Sequence, residues 1–152
     1  MKPWAIFGLT HKLTETPPKW KFQAKSISTL FKKSLHFFVL DSGCSNRLLF
    51  EMDAVLSPQY NIHRFGIFST QTPRHADLLI VLGKCNPSME KPLFEAVNQL
   101  PEPYGILLLE EKNSIGKSLK DLGLPNVIGF FDEDLSADKI VSLLLNIKEG
   151  TL

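Results

Sequence analysis

The sequence predicts an α/β domain built on a mostly parallel sheet, and three observations carry that prediction. Short apolar runs at residues 35–40 (LHFFVL), 78–82 (LLIVL) and 106–109 lack polar alternation, which is the pattern of strands buried on both faces. Between them lie longer segments with apolar residues at helical spacing. The two kinds alternate, and alternating β and α segments demand crossover connections that put helices on both faces of the sheet.

Taken in order, residues 1–33 read as an extended basic arm in front of a single domain over 34–152. Pro3 and Pro17-Pro18 interrupt regular structure there, while Trp4, Ile6, Phe7, Trp20 and Phe22 offer anchors with little periodicity. Residues 35–40 form the first strand, bounded by Asp41-Ser42-Gly43. Residues 45–56 place Leu48, Leu49, Met52, Val55 and Leu56 on one helical stripe, with Ser45 or Asn46 as the cap. Residues 63–68 read as a weaker second strand, and 78–82 as a central one. A helix over 88–100 is closed by Pro101, and 106–109 is the next strand. A short helix is expected over 114–122, stopped by Gly123 and Pro125. Residues 127–131 form the last strand, and 136–147 a terminal amphipathic helix with Asp138 in its first turn. Ligands of such sheets sit beyond the carboxyl ends of the strands, so the functional loops are expected at 41–47, 69–75, 83–87, 110–113 and 131–135.

A net charge of +1 gives the whole molecule no electrostatic case for nucleic acid. The charge is uneven, however: residues 1–40 carry seven lysines and one acid, and residues 101–152 carry nine acids and five lysines. A basic arm of this kind suits contact with a partner or with lipid headgroups, against the simpler reading of a solvated, partly disordered N-terminus. No apolar run reaches the roughly 20 residues that span a bilayer, and the first residues lack the apolar core and cleavage site of a signal peptide. Two cysteines make no disulfide framework, which favours a cytoplasmic location.

Ile115-Gly116-Lys117-Ser118 looks like the end of a phosphate-binding loop, but the required earlier glycine position is Glu111, and the adjacent Glu110 and Glu111 would repel phosphate. Gly116 and Lys117 are expected instead at a helix start and on a solvated surface. His11, His36, His63 and His75 show no metal-ligand spacing. Cys44 and Cys85 each lie just past a central strand. In a flavodoxin-like strand order they form a candidate thiol pair, against the simpler reading of two unrelated small apolar side chains.

The stretch 41–111 resembles the cluster-bearing small subunit of respiratory complex I and of membrane-bound, energy-converting hydrogenases. The residues that carry this are Glu51 after the first loop, Arg64-Phe65-Gly66, and the block Thr72-Pro73-Arg74-His75-Ala76-Asp77 before an apolar strand. Gly83, Met89 and Leu100-Pro101-Glu102-Pro103 also fit, and the likeness extends over nearly the whole chain. It implies a flavodoxin-like domain and, in the family, one four-iron four-sulfur cluster held by four cysteine thiolates. Here the matching positions carry Ser45, Leu48, Lys112 (or Glu111) and Asp132, and none is cysteine. Glu51 and Arg74 would line the vacated site, with Arg74 reaching solvent or pairing with Glu51 or Asp132.

The resemblance therefore implies a cluster-free member, with no cofactor or metal and no catalysis of its own. Such a chain would play a structural or regulatory part next to a large hydrogenase or complex I-type catalytic subunit homologue, in the peripheral arm of a membrane complex on its inner face. The alternative is an electron-transfer subunit with a non-standard iron–sulfur site using Cys44, Cys85 and Asp132. Ser45, Leu48, Lys112 and Asp132 are expected to converge at the carboxyl edge of the sheet around a partly filled, shallow pocket.

Overall fold

The structure is a computed structural model that describes residues 33–149, so the arm expected over residues 1–33 lies outside the described residues except for Lys33. Five strands form one parallel sheet in the order β2-β1-β3-β4-β5. They are β1 (Leu35–Gly43), β2 (Ile67–Ser69), β3 (Leu78–Gly83), β4 (Gly105–Leu109) and β5 (Val127–Phe131). The helices are α1 (Asn46–Val55), α2 (Glu90–Asn98) and α3 (Ala137–Glu149). As expected, β1 and β3 are adjacent inner strands, in register from Phe37 opposite Leu78.

The apolar runs are explained by two separate cores. Successive side chains of a strand point to opposite faces. Leu78, Ile80, Leu82, Leu107 and Leu109 pack with Leu48, Met52 and Val55 of α1 and with Ile140, Val141 and Leu144 of α3. Leu79, Val81, Ile106 and Leu108 pack on the other face with Leu93 and Val97 of α2, and with Leu119 and Leu122. Every residue of β3 and β4 is buried, so a helical layer on each face is required.

Two elements differ from the sequence expectation. The second strand is only Ile67–Ser69, because Ile62–Phe65 forms a 3₁₀ turn flanked by left-handed Asn61 (φ 45°) and Gly66 (φ 70°). Residues 114–118 are not a helix, and only Leu119–Leu122 forms a 3₁₀ turn. Lys117 instead exchanges both backbone hydrogen bonds with Cys85 at 2.9 Å in an antiparallel bridge. Gly116 (φ +148°) runs against the same segment, where a Cβ would lie 2.6 Å from the Cys85 carbonyl oxygen. Pairing with the 83–87 loop takes the backbone groups that a helix would have used.

Candidate functional site

The carboxyl edge of the sheet is assembled from loops that fasten to one another. After β1, the Asp41 side chain accepts hydrogen bonds from the backbone N–H of Gly43 (2.9 Å) and Cys44 (2.8 Å), turning the chain toward α1. Partial burial raises the Asp41 pKa, but those N–H groups and the Cys44 thiol outweigh it, leaving the carboxyl below its ordinary range. The buried Ser42 hydroxyl donates to the Leu82 carbonyl at 2.9 Å, and its own carbonyl accepts from Asn86 N–H at 2.8 Å. The loops after β1 and β3 thus lie side by side. Gly83 (φ +76°) makes this approach feasible, since a Cβ there would meet the Cys44 nitrogen at 2.4 Å.

Ser45 caps α1, its hydroxyl 3.5 Å from the Leu48 N–H. The buried Glu111, just past β4, reaches across to it. Ser45 N–H donates to Glu111 Oε2 at 2.8 Å and the Ser45 hydroxyl donates to Oε1 at 2.6 Å. Arg47 on α1 pairs with Asp134 past β5 at 2.9 Å, both half-exposed or more. Ser45, Arg47, Glu111, Asn113 and Asp134 together line a cleft of about 210 Å³.

Among the expected residues, Ser45 lines this cleft. Leu48 is buried in the core of the α1 and α3 face. Lys112 and Asp132 are exposed and are not lining residues; their neighbours Glu111 and Asp134 take those places. The physical reason lies after β4. Glu110 and Glu111 both turn inward, Glu110 accepting from Ser118 Oγ at 2.8 Å and from the Leu119 N–H, and Lys112 is left to solvent. Glu51 does not pair with Arg74: its Oε2 accepts from Ala137 N–H at 2.8 Å and so caps α3. Arg74 is exposed in the 3₁₀ turn Pro73–His75 between β2 and β3. Asp77, at the end of the same block, accepts from His36 N–H at 2.9 Å and sets the start of β3 against β1.

Both cysteines are free; Cys44 packs against the core on the α1 and α3 face, and Cys85 belongs to the core on the α2 face. Burial, with the Asp41 and Glu111 carboxylates, pushes the Cys44 thiol up to about 12. Burial and the Glu90 carboxylate also raise Cys85, partly offset by Lys117. No group of three or more His, Cys, Asp or Glu side chains is placed to hold a metal ion among the described residues.

The sequence reading takes Glu110 and Glu111 as unfavourable to phosphate and Glu111 also as one of two matches to a family cysteine position, and neither as a structural group. Their position directly after a fully buried strand was the available signal, since a buried carboxylate needs donors.

No family model matches the chain. An uncharacterized protein of Methanocaldococcus jannaschii is 36% identical over 107 residues, covering 70% of this chain and 70% of its own. Formate hydrogenlyase subunit 7 of Escherichia coli (strain K12) is 35% identical over 78 residues, covering 51% of this chain and 31% of its own. A subunit of the NADH-quinone oxidoreductase of Pelodictyon phaeoclathratiforme is 35% identical over 66 residues, covering 43% and 35%. The chain thus spans about a third of the length of these two relatives. Among solved structures, a chain of the membrane-bound sulfane sulfur reductase, an archaeal respiratory membrane complex, superposes with a TM-score of 0.60 at 21% identity. That match covers 82% of this chain and 77% of the other, and it shows the fold.

Proposed function

The chain belongs to the small-subunit family of respiratory complex I and membrane-bound hydrogenases, and on that premise we propose that it serves such a complex as a structural or regulatory subunit without an iron–sulfur cluster. The observation that supports this most is the Ser45–Glu111 contact. Ser45 stands at one family cysteine position and Glu111 beside another, and their side-chain oxygens are 2.6 Å apart. A hydrogen bond joins the two loops between which a cluster would have to sit.

The donor set does not fit the group either. A four-iron cluster is normally held by four thiolates. Ser45, Leu48, Lys112 and Asp132 stand at the matching positions, and Leu48 is turned into the core. Cys44 and Cys85 lie in separate layers. No electron-transfer step is therefore assigned to this chain.

The role that remains is assembly. The fold keeps the carboxyl-edge loops of the family in place with carboxylate caps in place of iron. A large subunit related to the hydrogenase or complex I catalytic subunit is the partner, with the basic arm over residues 1–33 wrapping it. No helix among the described residues is long and apolar enough to cross a membrane. Attachment to the inner membrane face through partner subunits is part of the proposal. Purification of the tagged chain from solubilised membranes of its native host tests this. Co-elution with a large-subunit homologue in near-equal amounts is expected; elution without any membrane-complex subunit would overturn it.

A further inference from the structure

β1 runs for nine residues, but β2 pairs only with Leu35, His36 and Phe37. Past that point the outer edge of β1 has no strand partner among the described residues. A cleft of about 320 Å³ opens between this edge and α1. Val39, Leu49, Met52 and Leu56 give it an apolar lining, and Asp41 and Asp53 add two carboxylates. Leu49 and Leu56 are 37% and 40% exposed, and Phe50 beside them is 67% exposed.

We propose that this groove docks an extended segment of a partner subunit, which adds as a strand to the free edge of β1 and carries an apolar side chain flanked by Lys or Arg. The inference rests on the reading that the chain works inside a complex, and it names the surface and the chemistry of one contact.

Three arguments select this occupant. First, an edge without a neighbour presents backbone N–H and C=O groups. The Phe37 carbonyl accepts Thr70 N–H on this side at 2.8 Å, so by the two-residue period Val39 and Asp41 present their backbone groups to the same edge. An extended segment satisfies such groups and a helix does not. Second, Leu49, Met52 and Leu56 line the same cleft as Val39 of that edge, which suits apolar side chains of an added strand. Third, Asp41 and Asp53 are exposed, and Asp41 is held ionised by its backbone donors, so the groove favours a cationic flank. The same charges disfavour a second copy of the chain. Pairing this edge with itself would bring two Asp41 side chains opposite or diagonal to each other, and like charges there are destabilising.

The test titrates the full chain with a short synthetic peptide of Val and Phe flanked by lysines, and with a twin in which glutamates replace the lysines. Hydrogen exchange reads the site. The lysine peptide is expected to slow exchange at Val39 and Asp41 and to bind about tenfold tighter than its twin. Asp41→Asn with Asp53→Asn is expected to erase that difference while the variant still unfolds in one cooperative transition, because an asparagine side chain keeps an oxygen for the turn even though the charge is lost. Equal binding of the twins, no binding, or protection away from β1 would overturn the proposal. So would groove amides already protected in the free chain and released by deleting residues 1–32, which would make the arm the occupant. A concentration-dependent dimer abolished by Leu49→Lys would make it a second copy. Failure of the complex reading shows separately, as loss of co-purification with the peptide titration unchanged.

Discussion

Cys44 precedes the Ser45 cap of α1, and its environment raises the thiol pKa. It is half-buried, and its sulfur faces the Asp41 and Glu111 carboxylates, so ionisation would place a third negative charge among them. The sign of the pH effect follows. A thiol whose pKa rises from 9.0 to about 12 on folding stabilises the fold fully below pH 9, and that contribution is lost as pH rises toward 12. Urea unfolding of wild type and Cys44→Ala between pH 8 and pH 12 checks this. The wild type is expected to lose stability more steeply than the variant across that interval, and parallel profiles would contradict the assignment. Glu111 is the other decisive residue. One carboxylate satisfies the Ser45 N–H and hydroxyl, so Glu111→Ala is expected to cost about 2 kcal/mol in urea melts. A loss under about 0.5 kcal/mol would mean that the contact is dispensable.

The helices show the same device twice: a buried or half-buried glutamate caps an element distant in sequence. Glu111 serves the start of α1, and Glu51, itself on α1, accepts from Ala137 N–H at the start of α3. Glu51→Ala is expected to cost about 1 kcal/mol and to speed amide exchange in the first turn of α3 while leaving α2 unchanged. Uniform acceleration over the whole domain would contradict a local cap. Most elements were legible in the sequence because burial on both faces writes itself as an unbroken apolar run, as in β3 and β4. The helix expected over 114–122 failed because its spacing was real but its backbone had a competitor, the antiparallel bridge to Cys85. The second strand shrank for a similar reason, Gly66 turning the chain just before it. The Ser45 cap could be read locally. Its bond to Glu111 spans 66 residues and depends on strand order, which no local pattern encodes. Lys112 and Asp132 rest on the resemblance alone; Glu111 turns inward to Ser45 and Asp134 pairs with Arg47, so these neighbours line the cleft.

At the scale of the molecule, five parallel strands bring the loops after β1, β3, β4 and β5 to one edge, joined by Ser42 with Asn86, Ser45 with Glu111, and Arg47 with Asp134. The five-stranded parallel fold is in place, and its carboxyl edge is closed by hydrogen bonds among carboxylate, hydroxyl and backbone. Under the proposed function, such a scaffold keeps its surfaces for partners and carries no electrons. Iron and acid-labile sulfide analysis of the chain, purified anaerobically with whatever subunits accompany it and then separated from them, tests that claim most directly. The account predicts colourless protein with iron and sulfide far below one atom per chain. Near-stoichiometric iron with matching sulfide on the separated chain would contradict it and make the chain an electron carrier with a non-standard site.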